Sequence, residues 1–278
     1  MELFAIETGY FKLGGGAMFG AVPKTIWNRN YPADENNLNR WAMRSMLIKK
    51  DNRLILIDTG IGDKQSEKFF SFLYLHGEDS LQKSIEKLGF KCEDITDVIL
   101  THLHFDHVGG AVCIKDNQLS LSFPKATYWS NEIQWESAVH PNKKEAPSFI
   151  KDDFIPLQTS GQLKFIPCTD SDYPFIHGLN IRFVHGHTLG MMLPIISIEN
   201  QTFVYCADLI PTIHHLSLSY IIAYDIQPLE TIKERSRLIE EALKNDYVLI
   251  LEHDVEHTCI KLMRNDNGKI QAIPYFLK

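Results

Sequence analysis

The chain has 278 residues, 44% hydrophobic and 23% charged, which is ordinary globular composition and enough for one large domain or two small ones. A formal net charge of −7 disfavours general binding to phosphate backbones, and five cysteines without a C-x-x-C pair argue against a secreted disulfide framework. No run approaches the ~20 apolar residues of a membrane span, and Met1-Glu2-Leu3-Phe4 carries an acid where a signal peptide carries basic residues. The expectation is a cytoplasmic protein with reduced thiols, a small-molecule substrate, and no nucleic-acid or membrane partner.

There is no fixed-period repeat and no linker rich in Gly, Ser or Pro, so a single domain over 1–278 is the simplest organisation. Strand patterns run from Met43 to Lys49 and from Arg53 to Asp58, with Asp51-Asn52 as the hairpin turn between them. The second strand ends in Asp58-Thr59-Gly60-Ile61-Gly62. Ser66 to Leu75 is apolar on one side and predicts a helix. Glu78-Asp79-Ser80 opens another helix, with Leu81, Ile85 and Leu88 on its core face and Gly89 as its stop. Val98-Ile99-Leu100 reads as a buried strand. Further strands are predicted at Ile181 to His185, Leu193 to Glu199, Thr202 to Cys206 and Val248 to Leu251. A long helix follows Pro228, with Leu229, Ile232, Ile239, Ala242 and Leu243 toward the core. Two groups of strands with interspersed helices suit a sheet-on-sheet core with helices outside.

The most informative stretch follows the Val98 strand: Thr101-His102-Leu103-His104-Phe105-Asp106-His107. Imidazole and carboxylate without thiolate suit Zn, Fe, Mn or Ni. If the chain stays extended, His102, His104 and Asp106 share one face, and His107 points elsewhere toward a second ion. A lone histidine is usually a satisfied core or surface residue. Three with a carboxylate at this spacing are hard to explain that way, because clustered polar groups survive burial poorly without a partner. Three further candidates sit just past strand ends: His187 in Gly186-His187-Thr188-Leu189-Gly190, Asp208, and His253 in Leu251-Glu252-His253-Asp254. A strand-end aspartate alone is most often a turn or cap. Recurring in order after the first cluster, the three point to a metal site. Cys206 is read as a small buried apolar residue rather than a ligand.

These pieces, with Asp58-Thr59-Gly60, resemble the metallo-β-lactamase superfamily of metal-dependent hydrolases over most of the chain. The resemblance implies an α/β fold, a four-layer αββα sandwich, and two divalent metal ions, with zinc favoured. His102, His104 and His187 correspond to ligands of the first metal, Asp106, His107 and His253 to ligands of the second, and Asp208 to the bridging carboxylate. Asp58 corresponds to a residue that orients ligands through hydrogen bonds. His185 shares a strand face with His187 and is expected to support it in the same way. Two such ions about 3.5–4 Å apart can share a hydroxide that attacks an ester-like bond, with Asp106 or Asp208 moving the proton.

Longer stretches, Gly14-Gly15-Gly16-Ala17-Met18-Phe19-Gly20, Trp41-Ala42-Met43-Arg44 and Ala223-Tyr224-Asp225, are similar to the acyl-homoserine lactonase and methyl parathion hydrolase branch. That branch implies opening of an N-acyl-homoserine lactone, which is quorum quenching, with phosphotriester or aryl-ester hydrolysis as the alternative. A nucleic-acid processing role is weaker because the surface is acidic. In that branch an apolar N-terminal loop lines the pocket, which points to Met18, Phe19, Val22, Ile26 and Trp27, with Phe69 on the other side. Many of these lactonases carry a tyrosine three residues after the bridging aspartate. Pro211 stands there in this chain, and His215 is the candidate replacement donor. Relatives form homodimers, which the resemblance admits for this chain too.

Overall fold

The structure, a computed structural model, describes residues 1–277. Contacts divide the chain into two compact units: Met1–Tyr10 with Met43–Thr169, and Phe11–Ala42 with Asp170 onward. No helix among the described residues is long and apolar enough to cross a membrane.

One sheet, with most of its strand residues in the first unit, contains β1 (Glu2–Gly14), β2 (Leu38–Lys50), β3 (Arg53–Ile57), β4 (Asp97–Ile99), β7 (Thr127–Ser130) and β8 (Leu163–Phe165), in that order. A separate hairpin, β5 (Val112–Lys115) with β6 (Gln118–Leu121), turns at Asp116 and Asn117, both with positive φ. β2 and β3 are antiparallel, while β3, β4, β7 and β8 run parallel. Leu54 to Ile57 and Asp97 to Ile99 are buried without alternation, as parallel strands covered on both faces require. The core around them includes Ile6, Leu47, Leu56, Val98, Leu100 and Phe154. Parallel strands share one carboxyl edge, and Asp58 and the His102 to His107 segment leave it from β3 and β4. That edge is where open α/β sheets hold ligands.

The second sheet contains β9 (Tyr173–Ile176), β10 (Leu179–Val184), β11 (Met191–Ile198), β12 (Gln201–Tyr205), β13 (Val248–Ile250), β14 (Cys259–Arg264) and β15 (Ile270–Tyr275), in the order β15-β14-β13-β12-β11-β10-β9. β11 is antiparallel to both β10 and β12, and β12 is parallel to β13. β10, β12 and β13 therefore point the same way. Their carboxyl ends release His187, Asp208 and His253 at a single sheet edge.

Two predicted helices differ in the structure. The helix expected from Ser66 to Leu75 covers only Glu67–Ser71, capped by the Ser66 hydroxyl, which accepts from Phe69 N at 3.2 Å. Phe72 beyond it is 67% exposed, so its apolar face finds no core to extend against. The helix at Pro228 runs to Asn245, but Leu229 lies outside its core face, 75% exposed. The buried stripe is Thr231, Arg235, Leu238, Ile239 and Ala242.

Candidate metal centre

In the first unit the chain does not stay extended through the ligand run. β4 ends at Ile99, and Phe105–Val108 forms a helical turn with His104 at its N-cap. Asp106 and His107 thus sit on a helix, which corrects the reading of Asp106 as the third residue of a strand face. The turn brings the imidazoles together instead: ring centroids of His102 and His104 are 4.5 Å apart, and those of His102 and His107 are 3.8 Å apart. Asp106 Oδ1 is 3.9 Å from His107 Nε2.

Each ring has its tautomer set by a neighbour. Asp58 accepts from Thr101 N at 2.7 Å and from the Thr101 hydroxyl at 2.6 Å. That hydroxyl, its proton committed to Asp58, accepts from His102 Nδ1 at 3.1 Å. The other Asp58 contact is His107 Nδ1, 3.1 Å from Oδ2. On His104 the Nε2 donates to Glu145 Oε1 at 3.3 Å. In neutral rings the remaining nitrogens, Nε2 of His102 and His107 and Nδ1 of His104, are lone-pair acceptors. All three histidines are buried. Asp58 adopts φ of +57°, a conformation aspartate tolerates better than most side chains.

The second unit repeats this logic from separate turns. His187 Nδ1 donates to Asp225 Oδ1 at 2.9 Å, and its Nε2 lies 3.1 Å from Asp208 Oδ2. His253 Nδ1 donates to the Ala42 carbonyl at 2.8 Å, and its Nε2 lies 3.0 Å from Asp208 Oδ1. A carbonyl can only accept, so the proton of a neutral His253 is on Nδ1 and its Nε2 presents a lone pair to the carboxylate. His187 is in the same position against the other oxygen. Lone pairs facing a buried carboxylate on both sides repel unless a cation or proton lies between them. The donor set suits divalent cations bound by imidazole and carboxylate. Ala207, just before Asp208, has φ of +42°, a strained value for alanine that the surroundings must hold in place.

Other expected residues lie elsewhere than read. His215 is fully buried; its Nε2 donates to the Met18 carbonyl at 2.8 Å, and its Nδ1 accepts from the Thr212 hydroxyl at 2.8 Å. Burial is the main force pushing its pKa down to about 3. With both nitrogens committed, it is a structural pin and not the replacement donor. His214 faces Tyr31, ring centroids 5.1 Å apart. Met18, Phe19 and Trp27 are core and not pocket lining: each is at most 3% exposed, and Phe19 packs on Trp27, Trp41, His215 and Tyr220. Phe69 is half-buried, edge-on to Phe105 at 5.3 Å. His185 does not touch His187 through its ring, whose Nδ1 accepts from Gly190 N at 3.1 Å and closes the turn. Cys206 is fully buried, its thiol donating to the Val204 carbonyl, and burial pushes its pKa up, away from a ligand thiolate.

Four supporting residues escaped the sequence reading. Glu145 orients His104, and Asp225 orients His187; only Asp225 carried a signal, within the quoted Ala223-Tyr224-Asp225 stretch. Glu234 accepts from His185 N at 2.6 Å and Gly186 N at 2.9 Å, and burial raises its pKa to about 7. Arg235 is fully buried, donating to the carbonyls of Leu209 and Tyr220, and burial lowers its pKa to about 10.

A model of the metallo-beta-lactamase superfamily matches residues 41–118, which include Asp58 and the His102 to His107 segment. The chain carries a metallo-beta-lactamase superfamily domain. An N-acyl homoserine lactonase from Bacillus cereus is 24% identical to it over 238 residues, covering 81% of this chain and 85% of that protein. Among solved structures, a probable metal-dependent hydrolase from Staphylococcus aureus is 26% identical with a TM-score of 0.89, covering 100% of this chain and 96% of that one. AidC, a dizinc quorum-quenching lactonase in complex with a product, is also 26% identical, with a TM-score of 0.77 and coverage of 99% and 95%. The metallo-beta-lactamase domain is of the α/β class, as expected, and the chain is a metal-dependent hydrolase.

Proposed function

We propose that the chain's ligand residues hold two divalent cations, zinc by preference, and that the chain opens N-acyl-homoserine lactones as a quorum-quenching lactonase. By the family correspondence, His102, His104 and His187 would hold one ion and Asp106, His107 and His253 the other, with Asp208 as the shared carboxylate. The observation that carries the reading is the carboxylate of Asp208, set at 3.1 and 3.0 Å against two imidazole nitrogens whose rings spend their protons on Asp225 and Ala42. The lactonase relatives supply the substrate class.

When bound, the two ions lower the pKa of water toward neutrality and polarise the substrate carbonyl. The chain's own residues do the rest. Asp58, Glu145, Asp225 and the Ala42 carbonyl fix the ring tautomers, so the ligands do not reorganise during reaction. Water oxygen bonds to the lactone carbonyl carbon, and the bond from that carbon to the ring oxygen breaks. The proton released passes to the ring oxygen and leaves an N-acyl-homoserine. Each Asp208 oxygen is set against an imidazole, so this transfer falls to the Asp106 carboxylate. Of the expected apolar lining, Ile26 is 49% exposed and Val22 and Phe69 are half-buried, so these three keep apolar surface for an acyl chain.

The test measures kcat/KM of metal-replete protein on acyl-homoserine lactones of several chain lengths and on a paraoxon-like triester, with chelated protein as control. The lactones should be preferred, and chelation should abolish turnover. Full metal content without opening of any lactone removes the substrate assignment; faster triester turnover installs phosphotriester hydrolysis in its place.

A further inference from the structure

The second cluster draws its ligands from three separate turns, and one helix reaches two of them. Residues 225–235 hold the His187 turn by backbone as well as side chain. Ile226 N donates to the His187 carbonyl at 3.1 Å, and Gln227 N to the Gly186 carbonyl at 2.8 Å. A Cβ on Gly186 would meet Thr231 at 2.4 Å, so helix and turn are in backbone contact. Glu234 adds a carboxylate that takes the amides of both His185 and Gly186. One residue later, Arg235 donates to the carbonyl of Leu209, directly after Asp208, at 2.8 Å, and to Tyr220 O at 2.6 Å.

We propose that Glu234 and Arg235, adjacent on the Pro228–Asn245 helix, are positioning residues for the second cluster: Glu234 fixes the turn carrying His187, and Arg235 fixes the segment carrying Asp208. The proposal rests on the reading that His187 and Asp208 hold a cation. Stability alone explains Arg235 poorly. Its guanidinium is fully buried, two of its donors end on loop carbonyls instead of a carboxylate, and Nη2 has no partner among the described residues. An apolar residue of similar volume would avoid that desolvation cost. The strained Ala207 needs an over-determined neighbourhood, and the Arg235 bond to Leu209 supplies part of it.

Cobalt(II) titration of the full chain, followed by its visible spectrum and by chelator competition, tests this in wild type, Arg235→Met and Glu234→Gln. Gln keeps one acceptor and turns an N–H toward the second amide. Both variants should bind cobalt about 10- to 100-fold more weakly, with an altered spectrum at saturation and a metal-free melting temperature close to wild type. Wild-type affinity, or a wild-type spectrum at saturation in the folded variants, overturns the positioning role; should Arg235→Met not fold, Glu234→Gln decides alone. A wild-type chain that binds no cobalt overturns both this proposal and the metal reading beneath it.

Discussion

In the first unit, three histidines and an aspartate come from six consecutive residues; in the second, His187, Asp208 and His253 come from three turns. The contiguous set has its rings oriented by Asp58 and Glu145 and its loop held from the neighbouring 59–64 segment. Thr59 N and its hydroxyl both donate to the His107 carbonyl, at 2.8 and 2.9 Å, and Gly110 N donates to Gly60 O at 2.9 Å. Lys64 bonds the Gly109 carbonyl and forms a buried pair with Asp153 at 2.6 Å. The dispersed set is braced largely from residues 225–235: Asp225 on His187, Ile226 N and Gln227 N on the 186–187 carbonyls, Glu234 on the 185–186 amides, Arg235 on Leu209. The difference shows how one chemistry is reached by two routes. Ligands close in sequence need their loop shaped, so glycines carry the precision. Ligands far apart need a brace, so a helix carries it.

The largest effect should come where the dispersed set has a single carboxylate between two rings. Asp208→Ala is expected to lower kcat/KM by roughly three powers of ten, equivalent to ~4 kcal/mol of transition-state stabilisation. Its metal-free melting temperature should stay near or above wild type, because the repulsion around the carboxylate disappears, while the rise in melting temperature on adding zinc should shrink. A variant that keeps the full zinc-induced rise would show that Asp208 is not a ligand. Next come the residues that set tautomers. Asp225→Ala and Asp58→Ala should each weaken metal binding about 10- to 100-fold. Asp58 serves two histidines and the Thr101 amide, so its loss should also lower metal-free stability, which Asp225→Ala should touch less. Equal metal-free stabilities would erase the contrast between the tightly shaped contiguous loop and the dispersed ligands braced from one helix.

Glycine substitutions sharpen the contrast from the other side. A Cβ on Gly110 would lie 2.2 Å from the Thr59 carbonyl, backbone against backbone. Gly110→Ala should therefore cost about 1–3 kcal/mol of stability in a denaturant titration. Gly14 has φ of −63°, and a methyl added there would meet no heavy atom within 4 Å, so Gly14→Ala should be neutral. A neutral Gly110→Ala would mean that the loops around the first cluster are not in the tight backbone contact described.

Much of this was legible in the chain. The first cluster was readable because its ligands are consecutive, and the second because each ligand follows an apolar run that becomes a strand. The braces were not. Glu145 meets His104 from 41 residues away, and Glu234 meets His185 from 49, so no local pattern marks either. Arg235 sits on the buried stripe of an otherwise amphipathic helix, where periodicity predicts an apolar residue and offers no reason for a charge. The aromatic N-terminal segment misled differently. Apolar residues serve equally as pocket lining or core, and only the ring contacts of Phe19 show which they became.

The smallest effect tests whether His215 belongs to the structure or to the chemistry. Burial holds its folded pKa at about 3, against 6.5 for an ordinary histidine. Below about pH 6.5 the unfolded chain takes up a proton that the folded chain refuses. The contribution of a neutral His215 is therefore complete above that pH and is lost as the pH falls toward about 3. Between pH 6.5 and 5.5 the loss is about 1 kcal/mol, since a fully displaced proton contributes ~1.4 kcal/mol per pH unit. Denaturant titrations of metal-free wild type and His215→Gln across pH 7.5 to 5 isolate this contribution, because other titrating groups are common to both. The variant should show the flatter profile. Its kcat/KM on lactones, measured at neutral pH with full metal, should fall only as far as its stability does, because the imidazole is spent on Met18 and Thr212. Parallel pH profiles together with a large loss of kcat at full metal content would return His215 to the reaction as its proton donor.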